Sequence, residues 1–160
     1  MLAVKLICVG KMREKFYIEA FSEYAKRLQA YCKLELIELT EQRLGDNPSQ
    51  KEISAALGRE AAEIMKNIPP DAYLVAMCVE GKQMKSEGMA KLVSERESSG
   101  KPKLCFVVGG SFGLDESVKR RADMRLSMSE MTFPHHLARV MLAEQIYRAF
   151  KINEGSRYHK

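Results

Sequence analysis

Apolar residues recur along this chain with two different periods, and the periods predict where strands and helices lie. Five short runs rich in apolar residues have strand length: Leu2 to Val9, Lys33 to Leu39, Ala72 to Val79, Leu104 to Val108 and Arg125 to Met128. Strands that are apolar almost throughout are typical of a sheet covered on both faces.

The segments between these runs carry apolar residues at helical spacing. A first helix is predicted over Phe16 to Ala30, and the capping-box pattern from Ser49 to Glu52 opens a second that runs to about Asn67. A third starts at Ser86, with Met89, Leu92 and Val93 facing inward.

Two further helices are predicted in the last third of the chain. Asp115 to Arg121 forms a short one, and Pro134 suits the first turn of the last. The inner face of this last helix is predicted to consist of Leu137, Val140, Met141, Ile146, Tyr147 and Phe150.

Strand and helix alternate throughout, which favours an α/β fold with a mostly parallel sheet and helices on both faces. Residues 1–160 show no repeat or linker and are expected to form one domain. No apolar run approaches the ~20 residues of a membrane span, and Met1 to Gly10 lacks the features of a signal peptide. We therefore expect a cytoplasmic protein without a membrane partner.

The net charge of +5 favours anionic partners, with nucleic acid first among them. Many of the cationic residues lie in the last third of the chain. Solvated helix faces explain this charge equally well.

The four cysteines, Cys8, Cys32, Cys78 and Cys105, contain no C-x-x-C pair. Three of them lie inside apolar runs, where a reduced cysteine behaves as a small buried side chain. We expect core residues rather than a metal site or a disulfide framework.

The apolar run that ends at Val108 is followed by Gly109-Gly110-x-x-Gly113. Glycines there permit a tight turn and let backbone amides approach a ligand. The pattern is neither a P-loop nor a complete dinucleotide fingerprint, so a purely structural turn is an equal alternative. The stretch from Leu126 to Met131 can wrap an adenine ring, although an edge strand followed by a helix cap explains it as well.

Three features near the end of the chain contain candidate functional residues. His135 and His136 are adjacent on a helix, so their side chains diverge and no metal site is expected. Glu144 and Arg148 are i, i+4 neighbours that can pair. The last residues include Tyr158 and His159, and a frayed terminus is the ordinary expectation for them.

Taken together, several motifs resemble those of the ribosomal RNA large subunit methyltransferase H family. They are Val107-Val108-Gly109-Gly110-Ser111-x-Gly113-Leu114, Leu126-Ser127, Met131-Thr132-Phe133-Pro134-His135, Arg139-Val140-x-Leu142-x-Glu144-Gln145-x-Tyr147-Arg148-Ala149 and the final Tyr158-His159. Val9-Gly10-Lys11 and Glu23-Tyr24-x-x-Arg27-Leu28 also fit, so the resemblance covers essentially the whole chain.

This resemblance implies a SPOUT fold with a carboxy-terminal trefoil knot, a homodimer and S-adenosylmethionine as cofactor. It implies methylation of N3 of a pseudouridine in the helix 69 loop of 23S rRNA, in the assembled ribosome. The implied cofactor contacts are Met77, Gly109, Leu126, Ser127, Met128, Ser129, Glu130 and Met131. Met77 stands where relatives commonly have leucine.

The same resemblance assigns the chemistry to the end of the chain, with the tail reaching an active site shared between protomers. His159 or Tyr158 of the partner, or a water held by Glu144, is expected to accept the proton of N3, with Arg148 beside them. Arg139, Arg148, Arg157 and Lys160 are expected to hold RNA phosphates, and His135 is a further candidate RNA contact. A ribosome-binding module without catalysis is the alternative, and a nucleotide-dependent oxidoreductase is a weaker one.

Overall fold

The structure is a computed structural model that describes residues 1–160. Its elements follow one another as β1 (Ala3–Val9), α1 (Lys15–Leu28), β2 (Lys33–Leu39), α2 (Gln50–Asn67), β3 (Tyr73–Lys82), α3 (Ser86–Glu97), β4 (Lys103–Val108), α4 (Glu116–Arg121), β5 (Met124–Leu126) and α5 (His135–Asn153). Every predicted strand and helix is present in the predicted order.

The five strands form one sheet in the order β2-β1-β4-β3-β5, and each neighbouring pair is parallel. Strands β1 and β2 come first along the chain and pair with each other. Strand β3 follows, and β4 then lies between β1 and β3 in the sheet. All the strands therefore end at the same edge of the sheet, where open α/β folds place their ligands.

Alternate residues of the central strand pack into two separate cores. Leu104, Phe106 and Val108 of β4 pack with α1, α3 and α5, whereas Cys105 and Val107 pack with α2 and α4. These side chains are at most 5% exposed. Helices on both faces explain why the sequence of β4 is apolar without alternation, and the predicted α/β architecture is confirmed. The trefoil knot stays a prediction.

The edge between β3 and β5 differs from the prediction. β5 stops at Leu126, whereas β3 continues to Lys82, and both Met77 and Lys82 pair with Leu126. The residues between Met77 and Lys82 therefore bulge out of the ladder. Gly81 permits this, because a Cβ at that position would lie 2.7 Å from the carbonyl carbon of Leu126. A bulge of this kind leaves no periodic signal in the sequence.

The buried face of α5 is rotated from the predicted one. Ile146 and Phe150 are buried as expected, but Leu137, Val140 and Met141 stay partly exposed. The opposite side of the helix is buried instead, through Arg139, Leu142, Ala143 and Ala149. Phe16, predicted on the inner stripe of α1, is likewise 63% exposed.

None of the helices combines the length and the apolar character that a membrane crossing requires.

Three cysteines occupy the core as predicted. Cys8, Cys32 and Cys105 are buried, and this burial raises the pKa of each thiol to about 12. Such thiols stay protonated and unreactive at neutral pH. Cys78 lies in the β3 bulge and is only partly buried.

Arg139 ties the beginning of α5 to the ends of β1 and β2. Its side chain is 0% exposed and donates to Glu38 Oε2 at 2.6 Å and to the carbonyl oxygen of Gly10 at 2.7 Å. Glu38 Oε2 also accepts from the backbone amide of Met12 at 3.1 Å. A side chain without solvent access reaches no phosphate, so the prediction that Arg139 binds RNA is wrong in this structure.

We expect Arg139→Ala to destabilise the fold by about 2–3 kcal/mol, near the lower end for a broken buried ion pair because Glu38 is partly exposed. Urea denaturation followed by circular dichroism measures this change. Arg157→Ala removes an exposed arginine and should change the free energy of unfolding by less than about 0.5 kcal/mol. Equal stability of the two variants would contradict the structural role of Arg139.

Candidate functional site

A cavity of about 760 Å³ opens where β3, β4 and β5 end, and we name it the β3–β4–β5 cavity. Its lining includes seven of the eight residues predicted to contact a cofactor: Met77, Gly109, Leu126, Ser127, Met128, Ser129 and Met131. Glu130 is exposed and does not line the cavity, so the structure does not support that member of the set. Positions far apart in the sequence therefore meet at one site.

The glycine loop after β4 forms one wall of this cavity. The amide of Gly113, whose φ is +83°, donates to the carbonyl oxygen of Gly110 at 3.1 Å. A Cβ on Gly109 would lie 2.6 Å from the carbonyl carbon of Gly113. The backbone thus crosses itself too closely for a side chain. The loop is a tight turn, and the same turn forms a wall of the cavity.

The opposite wall is a segment after β5 that is fixed by its own hydrogen bonds. The Ser127 amide donates to the carbonyl oxygen of Lys82 at 2.9 Å, and the Ser127 hydroxyl donates to the carbonyl oxygen of Ser129, also at 2.9 Å. The Ser129 hydroxyl accepts from the amide of Met131 at 3.0 Å. These hydrogen bonds fix the course of the backbone along this wall.

The lining of the cavity suits S-adenosylmethionine. Met77, Val108, Leu126 and Met128 offer apolar surface for a planar ring, and the backbone of both walls offers polar groups. The volume lies within the range of roughly 300–1,000 Å³ typical of small-molecule sites. Glu80 also lines the cavity but already pairs with Lys119.

Glu41 supports the glycine loop from the end of β2, on the far side of β1, and no pattern in the sequence singles it out. Its carboxylate accepts from the amide of Ser111 at 2.7 Å and leaves no room for a side chain on Gly110. Glu41 directly follows the end of β2, where polar residues of parallel sheets gather. The sequence shows that Glu41 comes shortly after a predicted strand, but it does not show the contact with Ser111, which lies 70 residues further along the chain.

A larger cavity of about 900 Å³ lies beside the first, at the ends of β1 and β2. The two cavities share Ser111, Phe112 and His135. Its charges are mixed, since it is lined by Lys11, Arg13, Arg43, Glu14, Glu38, Glu41 and Glu60. The four carboxylates outnumber the three basic groups there, so this larger cavity is the poorer match for an anionic substrate.

His135 lies between these two cavities, half-buried, with its ring centroid 4.2 Å from that of His136. Burial, and then the neighbouring His136, lower its pKa, so the imidazole is neutral at pH 7. A neutral ring contributes no charge to phosphate binding, which leaves hydrogen bonding as its possible contribution to RNA contact. No group of three His, Cys, Asp or Glu side chains could hold a metal ion.

The tail does not fray. His159 Nδ1 lies 3.1 Å from Arg148 Nη1, and His159 Nε2 lies 2.9 Å from Glu87 Oε1 at the start of α3. A guanidinium only donates, so Nδ1 is the acceptor and Nε2 carries the proton donated to Glu87. These contacts hold the tail against its own α3 and α5.

Glu144 and Arg148 form the predicted i, i+4 pair, with Arg148 Nε 2.9 Å from Glu144 Oε1. The Tyr158 hydroxyl donates to Glu144 Oε2 at 3.4 Å, and the Arg148 guanidinium lies 4.8 Å from the centre of the Tyr158 ring. The four predicted catalytic residues, Glu144, Arg148, Tyr158 and His159, therefore form one cluster, here called the tail cluster. Arg157 and Lys160 beside it are exposed and have no acidic partner within 4.0 Å.

Comparison with known proteins finds relatives that match this chain over nearly its full length. A family model described as "Predicted SPOUT methyltransferase" matches residues 2–159. Proteins named ribosomal RNA large subunit methyltransferase H are similar to it: that of Bacillus pumilus is 43% identical over 157 residues, covering 98% of this chain and 99% of that protein. The protein of Streptococcus pyogenes is 45% identical over 159 residues, covering 99% of this chain and all of that protein. The protein of Clostridioides difficile is 44% identical over 157 residues, covering 98% and 99%.

We expect Gly109→Ala to weaken ligand binding in the β3–β4–β5 cavity, because the added Cβ displaces the backbone of Gly113. The affinity for S-adenosylmethionine should fall at least about 10-fold, which corresponds to about 1.4 kcal/mol. Isothermal titration calorimetry measures the loss. Gly45→Ala is the matched control, since nothing lies within 4 Å of its added Cβ. Similar affinities for the two variants would contradict a cavity wall at Gly109.

Proposed function

The chain belongs to the SPOUT methyltransferase family, and from that premise we propose that it methylates RNA of the large ribosomal subunit with S-adenosylmethionine as the methyl donor. The observation that carries the proposal is the β3–β4–β5 cavity, which gathers the cofactor contacts implied by the sequence. Full-length relatives named for methylation of this RNA support it. The specific target we propose is N3 of a pseudouridine in the helix 69 loop of 23S rRNA, in the assembled ribosome.

Binding and orientation are the main tasks of the protein in this reaction. Bound S-adenosylmethionine supplies a methyl group that is already a strong electrophile. The two fixed walls of the β3–β4–β5 cavity would hold the cofactor, the glycine loop through backbone amides and the Leu126 to Met131 segment through its apolar side chains. The remaining requirement is to place the nucleophilic nitrogen in line with the methyl group, which rigid elements do better than mobile ones.

The pseudouridine N3 must lose its proton, and we propose that Glu144 accepts it, directly or through a water. Tyr158 keeps its proton at neutral pH, because burial, and then the nearby Glu144, raise the pKa of its phenol, so no phenolate is present to act as the base. The unprotonated nitrogen of His159, Nδ1, already accepts a hydrogen bond from Arg148, so it is not free to accept the proton. Glu144 offers two carboxylate oxygens as acceptors. Tyr158 and Arg148 position it directly, and His159 acts through Arg148.

We further propose that the protein acts as a homodimer. Tyr158, His159, Glu144 and Arg148 do not line the β3–β4–β5 cavity of their own chain. If they act on a substrate that reaches the cofactor, a second copy must bring them there. The half-exposed apolar stripe of Leu137, Val140 and Met141 on α5 is a suitable surface for such a contact.

Deleting the gene should remove one methyl group from the helix 69 loop of 23S rRNA. Mass spectrometry of that fragment from deleted and parental cells measures the modification. Returning the wild-type gene should restore the methyl group, whereas Gly109→Ala should restore it less well. Persistence of the methylated pseudouridine in deleted cells would refute the proposed target.

Truncation after Gly155 should abolish methylation and leave the affinity for S-adenosylmethionine largely unchanged. The removed residues complete the tail cluster but do not line the β3–β4–β5 cavity. Single-turnover methylation of ribosomes and calorimetry measure the two quantities. Tyr158→Phe keeps the ring beside Arg148 and removes one donor to Glu144, so a smaller loss is expected. Full activity of the truncated protein would reject the role of the tail.

A further inference from the structure

A third cavity, of about 530 Å³, lies between the beginning of α3 and the middle of α5, and we name it the α3–α5 cavity. It shares Leu126, Ser127 and Met128 with the β3–β4–β5 cavity. Its other lining residues are Met84, Lys85, Ser86, Met141, Glu144 and Gln145. The cavity therefore adjoins both the cofactor wall and the tail cluster. Apart from Glu144 and the three residues shared with the cofactor wall, its lining has no role in the proposed reaction.

The lining of this cavity is divided between thioethers and hydrogen-bonding groups. Met84, Met128 and Met141 provide polarizable apolar surface that adapts to a flat ring. The Ser86 hydroxyl donates to Gln145 Oε1 at 2.7 Å, and Gln145 Nε2 donates to Glu144 Oε1 at 3.2 Å. A nucleobase presents the matching combination of a flat apolar face and a polar edge.

Exposed cations surround this cavity. Lys82 and Lys85 lie on the connection from β3 to α3, and the contact between His159 and Glu87 brings the end of the tail to the same place. No carboxylate lies within 4.0 Å of the amino group of Lys82 or Lys85, and the same holds for Arg157 and Lys160. By contrast, Lys119, Arg125 and Lys151 each have an acidic partner.

The two carboxylates nearest to these cations are already engaged. Glu87 contacts His159, and Glu144 pairs with Arg148. The surface around the α3–α5 cavity thus carries a local excess of positive charge, because the four cations Lys82, Lys85, Arg157 and Lys160 outnumber Glu87. Positive charge along a groove, next to a slot for a flat ring, is the arrangement that binds single-stranded nucleic acid.

We propose that the α3–α5 cavity holds an unstacked base of the substrate RNA strand, while Lys82 and Lys85 contact the phosphates beside it. This inference rests on the proposed function and extends it with a binding site outside the cofactor cavity. A base-paired duplex offers no free base to the cavity, so the site selects a loop or another single-stranded segment. Lys85 belongs both to the cation surface and to the cavity lining, and it links the two contacts.

The phosphate contacts are tested by the double variant K82A/K85A. Binding of a single-stranded RNA oligonucleotide with the helix 69 loop sequence is measured at several salt concentrations. The slope of log K against log salt should fall by about 1.4, because each phosphate contact of a single strand contributes about 0.7. K82R/K85R should restore the slope. Lys51→Ala, which removes an exposed lysine of α2 on the opposite face of the sheet, should leave it unchanged.

The proposed base site is tested by Met84→Trp, which adds bulk to the lining of the α3–α5 cavity without changing the charge and lies outside the proposed dimer surface. We expect about a 10-fold loss of RNA affinity with the salt slope and the affinity for S-adenosylmethionine retained. Wild-type slope in K82A/K85A, or wild-type RNA affinity in Met84→Trp, would overturn the corresponding contact. Methylation of ribosomes by the wild-type protein is followed in parallel. Its absence would refute the proposed function, and the binding slopes would still decide the inference.

Discussion

The sheet is covered on both faces, and this constraint determines where the molecule can do chemistry. The central strands β1 and β4 bury their side chains against helices, so almost no polar group can project from their faces. Polar side chains and free backbone amides must gather where the strands end. Because all five strands are parallel, those ends share one edge, and two of the three cavities described lie along it.

This constraint also explains what could be predicted from the sequence. Continuous apolar runs such as Leu104 to Val108 identify strands buried on both faces, and the glycines after Val108 mark the turn at which such a strand ends. The order of elements and the parallel sheet follow from these local signals. The β3 bulge and the contact between Glu41 and Ser111 do not, because each depends on a partner that is distant in the sequence.

Arg139 shows the main way in which sequence reasoning failed. Its charge and its position near other cations pointed to RNA, yet the fold uses the guanidinium to join α5 to β1 and β2. The opposite error concerns apolar residues of α5. The sequence predicted that Leu137, Val140 and Met141 face the core, but they remain partly exposed. A helix with apolar residues around most of its circumference leaves its orientation undetermined by periodicity, and a single buried ion pair then fixes it.

The tail cluster explains how a short terminus without apolar residues is ordered. Arg148 contacts Glu144, His159 and the ring of Tyr158, so one guanidinium serves three partners. Such a network is strongest where side chains are partly buried, because water screens it less. The free cations lie outside this network, on Lys82, Lys85, Arg157 and Lys160. Around the α3–α5 cavity the chain thus pairs the charges that shape the tail and leaves Lys82, Lys85, Arg157 and Lys160 without an acidic partner, which is the distribution expected of a surface that recognises a polyanion.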